Sequence, residues 1–462
     1  MREVENSGPF GDSIIPHRTL DFSVCGLGPW SLVVPATVYP PREDTRILAD
    51  AIMALDLEPS TAVEVGCGSG ALSILLAENG WDVFAFDVNP YAVAASRSNV
   101  DESGHSNRVT VNEGGVGEPG WKIPKRTGLI VWNLPYLNPL DDGALQLEPI
   151  EEASMTDIPN GGWSAELMSH VCDCNEDGLI VLLLMRSDPK SPSNKEDWMR
   201  EGWSSRVIKS LRMGDEKIEA VAFWRPGLGL SPVIVDECNS TMTESQSLPE
   251  DGWQRIRSRR QYSGRGRGES KWESREGDIT ATWRVVVEDE GGVFPGLIQT
   301  SVGAAVANII GCRTKWPNDL IDKQGMKLGG IMVESSSNEL GIRVGVGINS
   351  SPRMISEDRV SGWSETLGPV SADIVFGSVD SSISGILEVV PGLPSVSSEA
   401  LLDLSWRGIS SSLSEGAFPS FSGNEARVVG LDIGGGLILE REGDVSIVTD
   451  LDTVEWFFPT GS

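Results

Sequence analysis

The chain has 462 residues, too many for one ordinary core, and sets 37 Lys and Arg against 67 Asp and Glu for a formal net charge of −30. A charge of that sign repels polyanions at long range, which argues against general nucleic-acid binding; excess surface carboxylate mainly keeps a protein soluble. Six cysteines with no Cys-x-x-Cys pair and only three histidines argue against structural zinc and against a disulfide framework.

A polar N-terminus without a secretory leader, and no apolar run of membrane-spanning length, predict a cytoplasmic protein with no membrane partner. Residues 1–30 read as an N-terminal extension. Beyond them the helical stretches Thr45–Leu57, Ala71–Asn79 and Pro90–Val100 alternate with apolar runs at Thr61–Val65, Trp81–Asp87, Gly128–Asn133 and Gly178–Met185. That alternation predicts a parallel sheet covered on both faces, an α/β Rossmann-like domain over 31–226, with Lys217–Trp224 as a late strand. The breaker-rich stretch Arg225-Pro-Gly-Leu-Gly-Leu-Ser-Pro232 marks its end.

Within this domain Glu64-Val-Gly66-Cys-Gly68-Ser-Gly70 closes a strand and opens a helix, and Asp87 ends the next strand. Glycines there let the backbone pass against a ligand, and a carboxylate at the second strand end can hold ribose hydroxyls. The pattern alone does not separate a dinucleotide from S-adenosylmethionine; the Gly66-x-Gly68-x-Gly70 spacing tilts toward the methyl donor. Asn133-Leu-Pro-Tyr136 follows a strand at the same sheet edge. An amide or amino nitrogen is a poor nucleophile, and the physical task is to hold its hydrogens so that its face meets the methyl group. The Asn133 oxygen and a backbone carbonyl beside Pro135 can accept those hydrogens, with Tyr136 packed on the planar acceptor.

These segments resemble the amino-methyltransferases, and Val38-Tyr-Pro-Pro-Arg-Glu43-Asp44-Thr45 is similar to the opening of the archaeal and eukaryotic release-factor glutamine methyltransferases. The resemblance covers residues 31–225. It implies S-adenosylmethionine contacts from Thr45, Gly66, Gly68, Gly70, Asp87 and Asn133, and a glutamine amide in a translation release factor as acceptor. Leu134 departs from that family's Asn-Pro-Pro-Tyr. Asn-Leu-Pro-Tyr is the form of ribosomal-RNA adenine dimethylases, so an RNA adenine stays open as acceptor, as does a domain kept without activity.

The second half carries strand patterns at Arg284–Val287, Ile331–Glu334 and Ile342–Ile348 and an apolar helix at Leu297–Ile310. Residues 356–398 are rich in Ser, Gly and Pro and show no clear period. Ala400–Leu413 has helical spacing, and Glu425–Thr449 alternates like a small sheet with a turn at Gly434-Gly-Gly436. These patterns predict an α+β unit over 233–398 and a small C-terminal unit over 399–462.

Its chemistry concentrates in Gln261-Tyr-Ser-Gly264-Arg265-Gly266-Arg267-Gly268-Glu-Ser-Lys271-Trp272 and Lys315-Trp-Pro-Asn-Asp319, followed by Lys327-Leu-Gly-Gly-Ile331 and Val344-Gly-Val-Gly-Ile-Asn349. Glycines let backbone N–H groups approach an anion, and arginines hold carboxylate or phosphate oxygens in bidentate geometry. Arg255, Arg257, Arg259, Arg260, Arg265, Arg267 and Lys271 make a local cationic segment in an anionic chain. An anionic ligand would go there. RNA contact, with Arg and Tyr262 interleaved, is the competing reading.

In that order the motifs resemble the biotin protein ligases, an α+β biotin/lipoate ligase fold that ends in a small β-barrel-like domain. The resemblance implies biotin, ATP and Mg²⁺ as ligands and a biotin carboxyl carrier protein as partner. Ser240, Thr241 and Gln261 would flank the biotin ring, with Gly264 and Gly266 in the nucleotide loop. Arg265 and Arg267 would hold carboxylate and phosphate, and Lys327 would stabilise developing charge. Lys315, Asn318 and Asp319 would organise the nucleotide, with Asp319 also the metal ligand. Trp272 and Trp316 either stack on a ligand or pack. Glu269 and Ser270 replace the family's second Gly and third Arg, and Met242 stands where Asn is usual. With no winged helix-turn-helix ahead of the ligase, DNA is not expected as a partner. The combined reading is a fused bifunctional enzyme; the alternatives are an active ligase beside an inactive methyltransferase, and a non-enzymatic module that senses both ligands.

Overall fold

The computed structural model describes residues 16–138, 155–174, 177–266, 271–286, 294–335, 341–355, 357–450 and 453–458. The chain divides into two compact units. One comprises Met1–Trp198, Ser205–Leu228 and Pro391–Pro394, the other Met199–Ser204, Gly229–Val390 and Ser395–Ser462.

The first unit opens with a hairpin, β1 (His17–Val24) against β2 (Leu27–Pro35), paired antiparallel from His17 opposite Pro35. Every second residue faces inward, so Phe22, Val24, Leu32 and Val34 are buried on one face. The boundary expected at residue 31 is corrected here, because it would cut through β2. The apolar alternation of Phe22 and Val24 gave the signal, and the Asn99 side chain ties the hairpin down by bonding both the N–H (2.9 Å) and the carbonyl (3.0 Å) of Val33.

There follow α1 (Glu43–Met53), β3 (Thr61–Val65), α2 (Ala71–Glu78), β4 (Asp82–Asp87), α3 (Pro90–Glu102), β5 (Val109–Glu113), β6 (Thr127–Asn133), α4 (Gly162–Cys174), β7 (Ile180–Asp188), β8 (Ser204–Met213) and β9 (Glu216–Trp224). They form a seven-stranded sheet in the order β5-β4-β3-β6-β7-β9-β8. Pairing is parallel from β5 through β7, and β9 runs antiparallel to β7. Strands buried on both faces read as continuous apolar runs, which is why β3, β6 and β7 stand out in the sequence. β8 did not, because Arg206, Lys209 and Arg212 interrupt its apolar residues. In register, Val65 lies opposite both Phe86 and Trp132, so the ends of β3, β4 and β6 meet at one edge.

The second unit is built on β10 (Val233–Cys238), β11 (Gln254–Gln261), the short pair β12 (Gly264–Arg265) and β13 (Lys271–Trp272), β14 (Ile279–Val285), β15 (Arg313–Lys315), β16 (Asp319–Ile321), β17 (Lys327–Ser335) and β18 (Ile342–Ile348). Seven of these form a mostly antiparallel sheet in the order β10-β11-β14-β18-β17-β16-β15. The helix α5 (Pro295–Ile310) packs Ile298, Val302 and Val306 into a core with Trp283, Leu328 and Val344.

The Ser-rich stretch without a legible period contains a helix, Ala372–Leu387. Two of its buried serines bond within the helix: Ser378 Oγ donates to the Ile374 carbonyl (3.1 Å) and Ser381 Oγ to that of Ser378 (2.9 Å). The same helix carries Asp380 into the core, where its carboxylate accepts from Trp253 Nε1 (2.9 Å), Trp283 Nε1 (2.8 Å) and Arg255 Nε (2.9 Å). Asp380→Ala would remove the carboxylate that a buried guanidinium and two indoles share. A loss of about 3–5 kcal/mol is expected, read by chemical denaturation, with Asp380→Asn milder.

Beyond a helix at Ser398–Ser414, the C-terminal segment forms two three-stranded sheets. One joins Phe418–Phe421, Asn424–Glu425 and Val454–Phe457; the other joins Arg427–Leu431, Leu437–Arg441 and Asp444–Val448. Leu437, Leu439 and Trp456 share one apolar cluster with Trp316. Among the described residues no helix is long and apolar enough to cross a membrane.

Candidate active sites

In the first unit a cavity of about 460 Å³ opens at the aligned ends of β3, β4 and β6. Gly66 and Gly68 line it with positive φ (66° and 54°), a conformation that only glycine adopts without strain. Gly70 does not line the cavity. It turns the chain into α2 at φ 82°, and a Cβ there would meet Ser96 Oγ at 2.6 Å, so its role is in the turn. Asp87 is held by Gly68 N–H on one oxygen (2.8 Å) and Asn89 N–H on the other (2.9 Å). Burial raises its carboxyl above the usual range, against the lowering effect of those bonds.

Asn133, Pro135, Tyr136 and Thr45 all line this cavity. Asn133 Nδ2 donates to Asp44 Oδ2 at 3.1 Å, while its Oδ1 is buried with no hydrogen-bond partner. Tyr39 OH donates to the same Asp44 oxygen at 3.2 Å. Burial, reinforced by the Asp44 carboxylate, pushes the Tyr39 and Tyr136 hydroxyls up, so both remain neutral phenols. Leu134 is 1% exposed and its N–H donates to the Leu184 carbonyl at 3.3 Å, a bond that a proline could not make. The departure at this position is therefore accommodated through packing and a strand bond. The sequence reading did not assign roles to Asp44 and Tyr39; their signal was proximity to Thr45 at the start of α1.

Glu64 also lines the cavity; it is buried, with the Ser73 hydroxyl donating to its Oε2. Burial raises its carboxyl to about 8, so it is protonated in the fold at neutral pH. In the unfolded chain it ionises near its ordinary value of about 4.3. Between those two values the folded state binds the extra proton, so stability falls as pH rises. Relative to Glu64→Gln, the wild-type protein should lose on the order of 3–5 kcal/mol between about pH 4.5 and pH 8, measured as the difference between urea curves at the two pH values.

In the second unit β12 and β13 pair Gly264 with Trp272 and Arg265 with Lys271, beside a cavity of about 610 Å³. Arg265, Gly266, Lys271 and Asn318 line that cavity together. A Cβ on Gly264 would approach the Trp272 carbonyl to 2.6 Å. The Arg265 guanidinium lies 3.2 Å from Glu334 and donates to Thr243 Oγ1 at 3.0 Å. Asn318 is fixed through its carbonyl, which accepts from Ile331 N–H (2.8 Å). Lys327 does not line the cavity; its Nζ meets Asp319 Oδ1 at 2.6 Å, one residue beyond Asn318, and Lys315 Nζ approaches the other oxygen at 3.7 Å.

Gln261 Oε1 accepts from Thr241 N–H (2.6 Å) and Thr241 Oγ1 (3.2 Å), and Thr282 Oγ1 donates to Thr241 Oγ1 (2.9 Å). Ser240 Oγ beside them is buried with no hydrogen-bond partner, and Ser240, Thr241 and Gln261 do not line the cavity. Arg267 and Gly268 lie outside the described residues.

One expectation is corrected, and two further motif residues are placed. The basic segment is not one cationic surface: Arg255 and Arg257 are buried in β11, where Arg255 pairs with buried Asp380 (2.9 Å) and Arg257 with exposed Asp373 (2.6 Å). Asp319, the expected metal ligand, has its carboxylate paired with Lys327 at 2.6 Å and approached by Lys315 at 3.7 Å. Trp316 packs: it is 3% exposed and its Nε1 donates to the Gly435 carbonyl at 2.8 Å. Trp272 packs across Gly347, where a Cβ would lie 2.6 Å from its ring.

Residues 235–349 match the family model described as the biotin/lipoate A/B protein ligase family, and residues 43–134 match that described as ribosomal protein L11 methyltransferase. A release factor glutamine methyltransferase of Geobacter sulfurreducens is 32% identical over 126 residues, 27% of this chain and 42% of the relative. A chloroplastic biotin–protein ligase of Arabidopsis thaliana is 38% identical over 103 residues, 19% of this chain and 27% of the relative. A solved structure, biotin protein ligase from Aquifex aeolicus in complex with biotin and ATP, aligns at 22% identity and a TM-score of 0.38, covering 50% of this chain and 99% of that one. The chain spans less than half the length of either curated relative. It thus carries a methyltransferase domain in its N-terminal half and a domain of the biotin/lipoate A/B protein ligase family in its C-terminal half.

Proposed function

We propose that the chain is a bifunctional cytoplasmic enzyme with a Rossmann-like methyltransferase domain over 31–226, extended upstream by the β1–β2 hairpin, and a ligase over 233–462. The ligase attaches biotin to a lysine of a biotin carboxyl carrier domain through biotinyl-AMP. The methyltransferase uses S-adenosylmethionine to methylate a planar amide or amino nitrogen, with a release-factor glutamine as first candidate.

The observation that carries the reading is that each unit has its own cavity lined by residues of its own motifs: Gly66, Gly68, Asp87 and Asn133 in the first, Arg265, Gly266, Lys271 and Asn318 in the second. S-adenosylmethionine supplies an electrophilic methyl group; Gly66, Gly68, Asp87 and Thr45 supply its bed. Asn133 Oδ1 holds an acceptor hydrogen, and Tyr136, a neutral phenol, covers its plane. In the ligase Ser240, Thr241 and Gln261 orient the biotin ring. Arg265, Arg267 and Lys271 offset the repulsion between carboxylate and triphosphate, and Lys327 stabilises charge at the reacting carboxyl. Lys315, Asn318 and Asp319 order the nucleotide, and Mg²⁺ enters only as the companion of its phosphates.

The test is incubation with a tritiated methyl donor and, separately, with biotin and ATP, using lysate as acceptor and mass spectrometry to name the labelled proteins. Label on a carrier lysine and on a glutamine amide supports both halves. Methyl label on RNA adenine moves the acceptor, and no label from either donor removes the enzymatic reading.

A further inference from the structure

We infer that Asp44 is the positioning residue that fixes which end of the Asn133 amide faces the cavity, and that it thereby limits the acceptor to a group that donates N–H. This rests on the methyltransferase reading above. An asparagine amide presents two donors at one end and an acceptor at the other, and only its surroundings decide which end points where.

Here the surroundings are acceptors. Asp44 is 4% exposed and stands in the first turn of α1, where the unpaired backbone N–H groups favour a carboxylate. Its Oδ1 accepts from Thr45 N–H (2.7 Å) and Thr45 Oγ1 (3.3 Å), and its Oδ2 accepts from Tyr39 OH (3.2 Å) and Asn133 Nδ2 (3.1 Å). Turning the Asn133 amide over would set its oxygen against Asp44 Oδ2 at hydrogen-bond distance with no proton between them. Asn133 Oδ1 is therefore held away from Asp44, buried and without a partner. A primary amide or an exocyclic amino group satisfies it; a nitrogen carrying no hydrogen does not. Asp44 acts through Asn133 and needs no contact with the acceptor.

The test uses the full chain labelled with ¹⁵N-asparagine, the Asn133 side-chain amide pair being assigned by its loss in Asn133→Asp. In the wild-type protein that pair should exchange slowly with solvent. In Asp44→Asn the protection should be lost, because the amide introduced at position 44 can donate as well as accept and the Asn133 amide can then turn over. In Tyr39→Phe, which leaves the Asp44–Asn133 bond in place, protection should persist.

Single-turnover transfer from the tritiated donor gives the second readout. Asp44→Asn should slow it about 10–100-fold with donor affinity within about threefold of wild type. Asp44→Asn combined with Asn133→Asp should recover about tenfold of that loss, since the amide at position 44 then donates to the carboxylate at position 133 and the pair is restored with its polarity exchanged. An unchanged Asn133 amide in Asp44→Asn overturns the inference, as does a double variant no faster than Asp44→Asn. If the wild-type protein transfers no methyl group, the functional reading fails by itself, and the amide exchange still decides the role of Asp44.

Discussion

Replacing Lys327 by alanine is expected to slow biotinyl-AMP formation by about 10²–10³-fold, the size of effect seen when one preorganised charge or donor is removed from a developing anion. Lys327 is half exposed, with a side chain at 46%, so its loss leaves no buried cavity and should not unfold the protein. Asp319 would keep Lys315 as a partner at 3.7 Å. The effect should therefore fall on the chemical step: single-turnover formation of the adenylate slows while biotin affinity, measured by calorimetry, changes little. Equal losses in rate and biotin affinity would assign Lys327 to ligand binding, and an unchanged rate would remove it from the reaction.

Asn133→Ala is the second large effect, a fall of about 10²–10³-fold in methyl transfer with donor affinity nearly kept. The substitution removes the unpartnered Oδ1 together with the bond to Asp44, so the acceptor nitrogen loses its orientation. The bed formed by Gly66, Gly68 and Asp87 does not depend on that side chain. The check is single-turnover transfer of tritiated methyl beside calorimetric titration with the donor. Loss of donor binding in step with the rate would place Asn133 in the cofactor site alone.

Much of both folds was legible. The apolar runs of β3, β4, β6 and β7 alternate with helical spacing, so the parallel sheet and the glycine turn after β3 could be read directly. β8 and the helix Ala372–Leu387 could not. In β8, Lys209 and Arg212 occupy exposed positions and break the apolar run. In the helix, Ser378 and Ser381 donate to carbonyls of the preceding turn, so polar residues occupy buried positions and hide the apolar period. The Arg-rich stretch shows the same limit: its charge is visible in the sequence, but the carboxylates that neutralise Arg255 and Arg257 lie 125 and 116 residues away, at Asp380 and Asp373.

By itself the amino-acid sequence showed the glycine turn, Asn-Leu-Pro-Tyr and the Lys-Trp-Pro-Asn-Asp run and their resemblance to two families, because such motifs are local. Tertiary structure decided which side chains are available to act. Trp316 and Arg255, prominent in their motifs, are committed to packing and to a buried ion pair, whereas Asp44 and Asn133, 89 residues apart, share a hydrogen bond. The reason is that burial and the choice of partner arise where distant segments meet, and only there does a polar atom become either satisfied or left open for a ligand.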